Sequence, residues 1–166
     1  MSAIAELKAL YLANHRQRYP SLPEPARTTP RFTDKTANGL TQCIKTFLNL
    51  QGCQCERINT MGRPIDNTKI YTDVLGNSRT IGNVTWIPGS ATPGSSDLSA
   101  VIKGLAVKIE VKIGRDKMSP AQEKYKRAIE AAGGIYVIAR NFTEFKSWFE
   151  GLQIHIESQI TSANVQ

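Results

Sequence analysis

No apolar run in these 166 residues approaches the roughly 20 residues needed to span a bilayer. The start, MSAIAELKALYLANHRQRYP, lacks the basic opening, apolar block and small-residue cleavage site of a secretory signal, so a cytoplasmic protein is expected. Cysteine is scarce. Cys43, Cys53 and Cys55 are an odd set, which reads as reduced thiols rather than a disulfide framework. Histidine is scarcer: His15 and His155 lie far from the cysteines in sequence, and Cys53-x-Cys55 has the wrong spacing for the common zinc sites. Acid is the minority charge, with 14 Asp and Glu against 21 Lys and Arg, a net +7. That balance favours a polyanionic partner without naming one.

What is present fits a single domain with enough apolar residues (40%) for a real core. The basic excess is local. Lys103, Lys108, Lys112, Arg115, Lys117, Lys124, Lys126 and Arg127 cluster against only Glu110, Asp116 and Glu123. Placed around a site, such a cluster binds phosphates and steers nucleic acid toward it.

The stretch GSSDLSAVIKGLAVKIEVKIG (94–114) lies inside that cluster. Leu105, Val107, Ile109, Val111 and Ile113 alternate with Ala106, Lys108, Glu110 and Lys112, the period of a half-buried strand. Leu98, Ala100 and Ile102 form a second apolar row, and Lys103–Gly104 between the rows reads as a two-residue hairpin turn. The register then pairs Ile102 with Leu105, Ala100 with Val107 and Leu98 with Ile109, and sets Asp97 opposite Glu110. Opposed like charges destabilise a ladder, and a divalent cation with oxygen ligands is the usual remedy. Glu110 and Lys112 share the face away from the core, so Lys112 puts a cation at the rim. This D…ExK arrangement has the chemistry of a metal-dependent phosphodiesterase.

Elsewhere the pattern predicts a helix over 3–17 and a Pro-rich linker through Pro20, Pro23, Pro25 and Pro30. A second helix should run from near Asp34 to Leu50 and a strand over 53–59. Residues 60–95 are irregular, with β-like runs at 70–74 and 83–87, and are expected to form a hairpin or arm ending in the flexible approach PGSATPGSS. Ser119-Pro120-Ala121-Gln122 is a capped helix start. That helix should end at Gly133–Gly134, followed by a buried strand over 135–140 and an amphipathic helix over 142–152. The divisions are an N-terminal helix and linker (1–30), a main domain (31–152) and a polar tail (153–166). The fold class is α/β (α+β).

The ordered set Gly94-x-x-Asp97, Glu110-x-Lys112, Ser119–Gln122 and the Gly-Gly-x-Tyr-Val entry into the last strand resembles the PD-(D/E)XK nuclease superfamily. It looks most like the VRR-NUC and Holliday-junction-resolvase-like branch frequent in phages and prophages. The resemblance covers roughly 36–149. It implies a restriction-endonuclease-like core, a mixed four-stranded β-sheet flanked by helices in the order αβββαβ. It implies Mg²⁺- or Mn²⁺-dependent hydrolysis of DNA. Asp97 and Glu110 would ligate the metal with the backbone carbonyl of Val111, and Lys112 would orient the water. Gln122 matches a glutamine near the site in relatives, and it is equally the partner of Ser119 in a capping box; both roles are compatible. Ser96 stands where Pro is common. Relatives often carry an acid near positions 37–38, where this chain has none; Asn38 or Gln42 could reach the metal through an amide oxygen or a water, and the missing acid weakens the case for a second tightly held metal while leaving the first. Arg115 and Lys117 are candidate phosphate contacts, as are Arg57, Asn59 and Arg63 on the segment leaving the first strand. The rival reading is a non-catalytic nucleic-acid-binding module; another is an interaction protein acting through the 60–95 arm. A symmetric cut on a junction takes two active sites, hence a homodimer, and no motif marks one.

Overall fold

Alternation in the 98–111 stretch builds the central hairpin. β6 (Leu98–Ile102) and β7 (Leu105–Val111) pair antiparallel, with Leu98 opposite Ile109, Ala100 opposite Val107 and Ile102 opposite Leu105. Lys103 and Gly104 make the turn, both at positive φ (49° and 85°). The computed structural model describes residues 2–59, 62–87, 89 and 92–163. Around the hairpin it forms a mixed four-stranded sheet in the order β1-β6-β7-β8. β1 (Gln54–Arg57) joins β6 antiparallel, and β8 (Ile135–Ala139) joins β7 parallel through the crossover helix α3 (Pro120–Ala131).

One sheet face carries the core. Leu98, Ala100, Ile102, Val107 and Ile109 are buried with Leu40, Ile44, Phe47 and Leu48 of α2 (Ala37–Leu50) and Phe142, Phe145 and Phe149 of α4 (Phe142–Ala163). Phe47 meets Phe142 and Phe149 edge-on, with centroids 5.6 and 5.1 Å apart. α1 (Ala3–Arg18) adds Ala3 and Leu7 to the same core, and Glu6 pairs with Lys146 of α4 at 2.7 Å. Among the described residues no helix is long and apolar enough to cross a membrane.

Several boundaries differ from the sequence reading. α2 begins at Ala37, capped by the Thr36 hydroxyl, which accepts from Gly39 N–H. Asp34 instead accepts from the Phe142 N–H at the start of α4. α4 passes Leu152 and runs to Ala163, because Leu152 and Ile156 continue the 145–149 stripe at i+3 and i+4 spacing. β1 stops at Arg57, short of Asn59.

The expected arm is a hairpin. β3 (Lys69–Thr72) and β5 (Val84–Ile87) match the two β-like runs, and β2 (Arg63–Asp66) and β4 (Ser78–Ile81) complete it. Of the approach PGSATPGSS, positions 88, 90 and 91 lie outside the described residues; Thr92–Ser96 is tied down. Ser95 donates to Thr92 O through both its N–H (3.0 Å) and its hydroxyl (2.6 Å), and the buried Ser96 hydroxyl donates to Leu98 O (3.0 Å).

Candidate functional site

Glu110 and Lys112 share a face, as their spacing requires, but the face is not open to water. Both are buried, at 2% and 6% exposure. The sequence reading missed the cover: α3 crosses this face, and Tyr136 of β8 lies on it, with Tyr125 of α3 packed edge-on against Tyr136. A parallel crossover sets that register, and no local pattern announces it. Gly94 seats the helix. It has φ +81°, and a Cβ there would lie 2.4 Å from the Ala121 backbone. Only glycine lets the strand approach to Asp97 press against the first turn of α3, where Gln122 sits.

A charge this deep must be paired and hydrogen-bonded. Glu110 Oε1 accepts from Lys112 Nζ at 3.0 Å and from Gln122 Nε2, and Oε2 accepts from the Tyr136 hydroxyl at 3.4 Å. Lys112 Nζ also donates to Gln122 Oε1 (3.1 Å) and pairs with Asp116 (3.6 Å), a second residue that motif spacing did not single out. Gln122 fills both roles left open by its sequence position. Its Oε1 accepts the Ser119 N–H at 2.9 Å, completing the capping box, and its Nε2 serves Glu110.

Asp97 falls one residue before β6, so the ladder stops at Leu98–Ile109 and the direct opposition to Glu110 is not formed as a strand pair. Asp97 Oδ2 instead accepts the Val111 N–H at 2.9 Å. Asp97 is half-buried, and among the described residues its Oδ1 has no hydrogen-bond partner. Burial pushes the Glu110 carboxyl above its ordinary value, and the Asp97 charge adds to that, while hydrogen bonds from Lys112 and Tyr136 oppose it.

These residues fit a hard divalent cation. Asp97 offers one free carboxylate oxygen, and Glu110 Oε2, engaged only by the long tyrosine contact, keeps acceptor capacity. Both are the oxygen donors Mg²⁺ and Mn²⁺ prefer. Among the described residues no group of three His, Cys, Asp or Glu converges, so Asp97 and Glu110 are the carboxylates that could hold such a cation, with the Val111 carbonyl added only by the resemblance. Cys43 and Cys55 are buried free thiols; burial pushes each up to about 11.

The other candidates separate. Arg57 pairs with Leu98 in the β1–β6 ladder, and Ile58 N–H donates to Asp97 O at 2.9 Å, so this strand end flanks the site. Arg57 Nη2 donates to Asn38 Oδ1 (2.9 Å), which commits that amide oxygen to Arg57. Asn38, Gln42, Lys45 and Arg57 line one groove of about 380 Å³. Arg115 and Lys117 lie in the exposed loop after β7, either side of Asp116. Asn59 follows β1, and Arg63 opens β2 on the arm. A cavity of about 550 Å³ beside His15, Tyr19 and Leu22 includes none of the carboxylates. No protein-family model, curated protein or solved structure matches the chain.

Gln122→Glu separates cap from site. As a cap, Glu serves as well as Gln. Beside Glu110 it replaces a donor with a second carboxylate, so the metal-free protein should lose about 1–2 kcal/mol at neutral pH, and Mn²⁺ should restore much of it. Thermal melts with and without Mn²⁺ decide this; unchanged stability in both would confine Gln122 to capping.

Proposed function

We propose that this chain is a metal-dependent nuclease of the PD-(D/E)XK type, hydrolysing phosphodiester bonds of DNA with structure-selective or weak sequence preference. The observation that carries the reading is the Glu110–Lys112–Gln122 network beside a half-open Asp97. The order α2-β1-β6-β7-α3-β8 supports it, being the αβββαβ order of a restriction-endonuclease-like core.

Asp97 and Glu110 would hold Mg²⁺ or Mn²⁺, with the Val111 carbonyl completing the protein donors. Held there, the cation would supply charge neutralisation at the scissile phosphate and a more acidic bound water. Lys112 supplies a preorganised positive charge at the reacting phosphate, and Gln122 Oε1 holds its ammonium in place. Tyr136 steadies the Glu110 carboxylate. Arg115, Lys117 and Arg57 would contact flanking phosphates, which orient the substrate without reading its sequence.

A second reading, a non-catalytic nucleic-acid-binding module, draws on one observation. Both Glu110 oxygens already have protein donors, as in a purely structural ion pair. The two part in one assay. Junction, flap and linear duplex DNA are incubated with the protein in Mg²⁺, Mn²⁺, Ca²⁺ or chelator. The nuclease cuts in Mg²⁺ or Mn²⁺, binds with little cutting in Ca²⁺, and is silent in chelator. Binding in every condition with no cutting in any would establish the second reading.

A further inference from the structure

The hairpin between β1 and β6 has no part in the carboxylate site, yet both its ends lead there: Arg57 and Leu98, the paired strand ends outside it, flank Asp97. It is one continuous ribbon. Arg63 faces Ile87, Asp66 faces Val84, Asn67 N–H donates to Asn83 O, and Lys69 faces Ile81 through to Thr72 facing Ser78. Its strands pack chiefly on one another. From Arg63 to the tip it is about 40 Å long at roughly 3.3 Å per residue.

Its charges are mixed, Arg63, Lys69 and Arg79 against Asp66 and Asp73. Asp66 accepts from the Thr68 N–H (2.9 Å) and hydroxyl (2.6 Å), and Asp73 accepts from the Leu75 and Asn77 N–H groups at 2.9 Å each; these bonds hold both carboxyls below their ordinary values, so both stay charged while bound to their own bend and turn. The cations Arg63 and Lys69 make no ion pair among the described residues, and Arg79, 75% exposed, meets Asp73 only at 3.9 Å. Lys69, Tyr71, Arg79 and Ile81 share one face of the outer ladder, with Tyr71 directly across from Arg79. In that one register the apolar side chains divide between two faces: Ile70, Val84 and Trp86 lie on one, interrupted by Asp66 and Thr80, while Ile81 and Ile87 lie on the other among Arg63, Lys69, Tyr71 and Arg79, so all three cations share a face and neither face is an unbroken apolar one. A protein partner would need a contiguous apolar face. A two-stranded ribbon with outward cations and an interleaved aromatic suits a nucleic-acid groove, because the major groove admits such a ribbon. The tip, Val74 and Leu75, is 98% and 83% exposed, the kind of apolar wedge that presses between base steps.

We propose that the hairpin Arg63–Ile87 is a duplex-binding arm. It lies in a groove of double-stranded DNA, sets Arg63, Lys69 and Arg79 on phosphates, and carries the Val74–Leu75 tip up to about one helical turn from the scissile phosphate. This rests on the nuclease reading for its substrate, but its own test is binding. The variant Lys69→Ala/Arg79→Ala and the single change Leu75→Asp touch only exposed residues remote from the carboxylates. A third protein replaces 67–83 by Asn-Gly, closing the inner ladder with a two-residue turn.

Binding to 12-bp and 40-bp duplexes is measured by fluorescence anisotropy in Ca²⁺, alongside hydroxyl-radical footprints, sedimentation and single-turnover cleavage in Mn²⁺. The double variant should bind the 40-bp duplex about tenfold more weakly, with a salt slope lower by about two units. Leu75→Asp and the trimmed protein should also weaken it. Binding to the 12-bp duplex should change far less, and the trimmed protein's footprint should shorten by about a turn. Cleavage at saturating protein should be unchanged. Undiminished affinity and an unaltered footprint overturn the arm even if cleavage is intact. A dimer that becomes a monomer on trimming, with DNA binding unaffected, overturns it in favour of a protein contact. Arm-dependent binding without cleavage by the parent protein keeps the arm and removes the nuclease reading.

Discussion

Asp97→Asn should reduce Mn²⁺-dependent cleavage by on the order of 10²–10³-fold, the scale of losing one preorganised electrostatic group, while the protein stays as stable as its parent. Asp97 is half-buried, and the isosteric amide can still accept the Val111 N–H through its oxygen. Removing its charge also relieves Glu110 of a repulsive neighbour. Lys112→Ala should abolish cleavage as well, but at a structural cost. Glu110 is 3% exposed at its side chain, and Lys112 is its cation at 3.0 Å. Taking one partner from a buried pair costs about 3–5 kcal/mol because the other charge is stranded. Glu110→Gln added to Lys112→Ala should return much of that stability and none of the activity, a coupling that a double-mutant cycle measures. Urea melts at pH 7 with single-turnover rates on the same preparations decide both points. Full cleavage by Asp97→Asn removes it from the metal, and an undiminished melt for Lys112→Ala means the ion pair does not hold Glu110 in place.

That split between the two residues was only half legible in the sequence. Alternation at 105–113 and the Lys103–Gly104 turn announced the hairpin and its register, because both are local consequences of a period of two and a positive φ. They also put Glu110 and Lys112 on one face. Burial of that face was not legible, since it depends on α3 folding back over the sheet, and the contact that allows it is Gly94 against Ala121. Tyr136 became a partner of Glu110 only through the parallel β7–β8 register, which sets Glu110 opposite Ile138 and Lys108 opposite Tyr136. The arm was visible as a segment with two β-like runs. Its other two strands, β2 with Pro64 and Asp66 and β4 with Ser78 and Arg79, carry weak β-formers and are held by their cross-strand partners. Asn38 was readable as a polar group near the missing acid; its engagement by Arg57 was not, because the two are brought together by α2 packing on β1.

Metal binding should be proton-coupled through Glu110. Burial first, then the Asp97 charge, raises its folded pKa above the ordinary 4.5. A carboxyl whose pKa is higher folded than unfolded holds its proton longer in the native state. Its contribution to metal-free stability therefore declines as pH rises from about 4.5 through the raised native value. A cation takes the carboxylate form, so its apparent affinity should fall about tenfold for each pH unit below that native value and level off above it. Above the window, Mn²⁺ offsets the same burial penalty, and the rise in melting temperature it produces should be largest there. With the Asp97 carboxylate intact, Glu110→Gln should still bind Mn²⁺ weakly on the proposed reading, with the pH dependence gone. Calorimetric titration of Mn²⁺ into the parent and Glu110→Gln proteins between pH 4.5 and 8 measures both the affinity and the protons released. An affinity flat across that range in the parent, with no proton release, would place the cation away from Glu110 and leave the Glu110–Lys112 pair as a structural one.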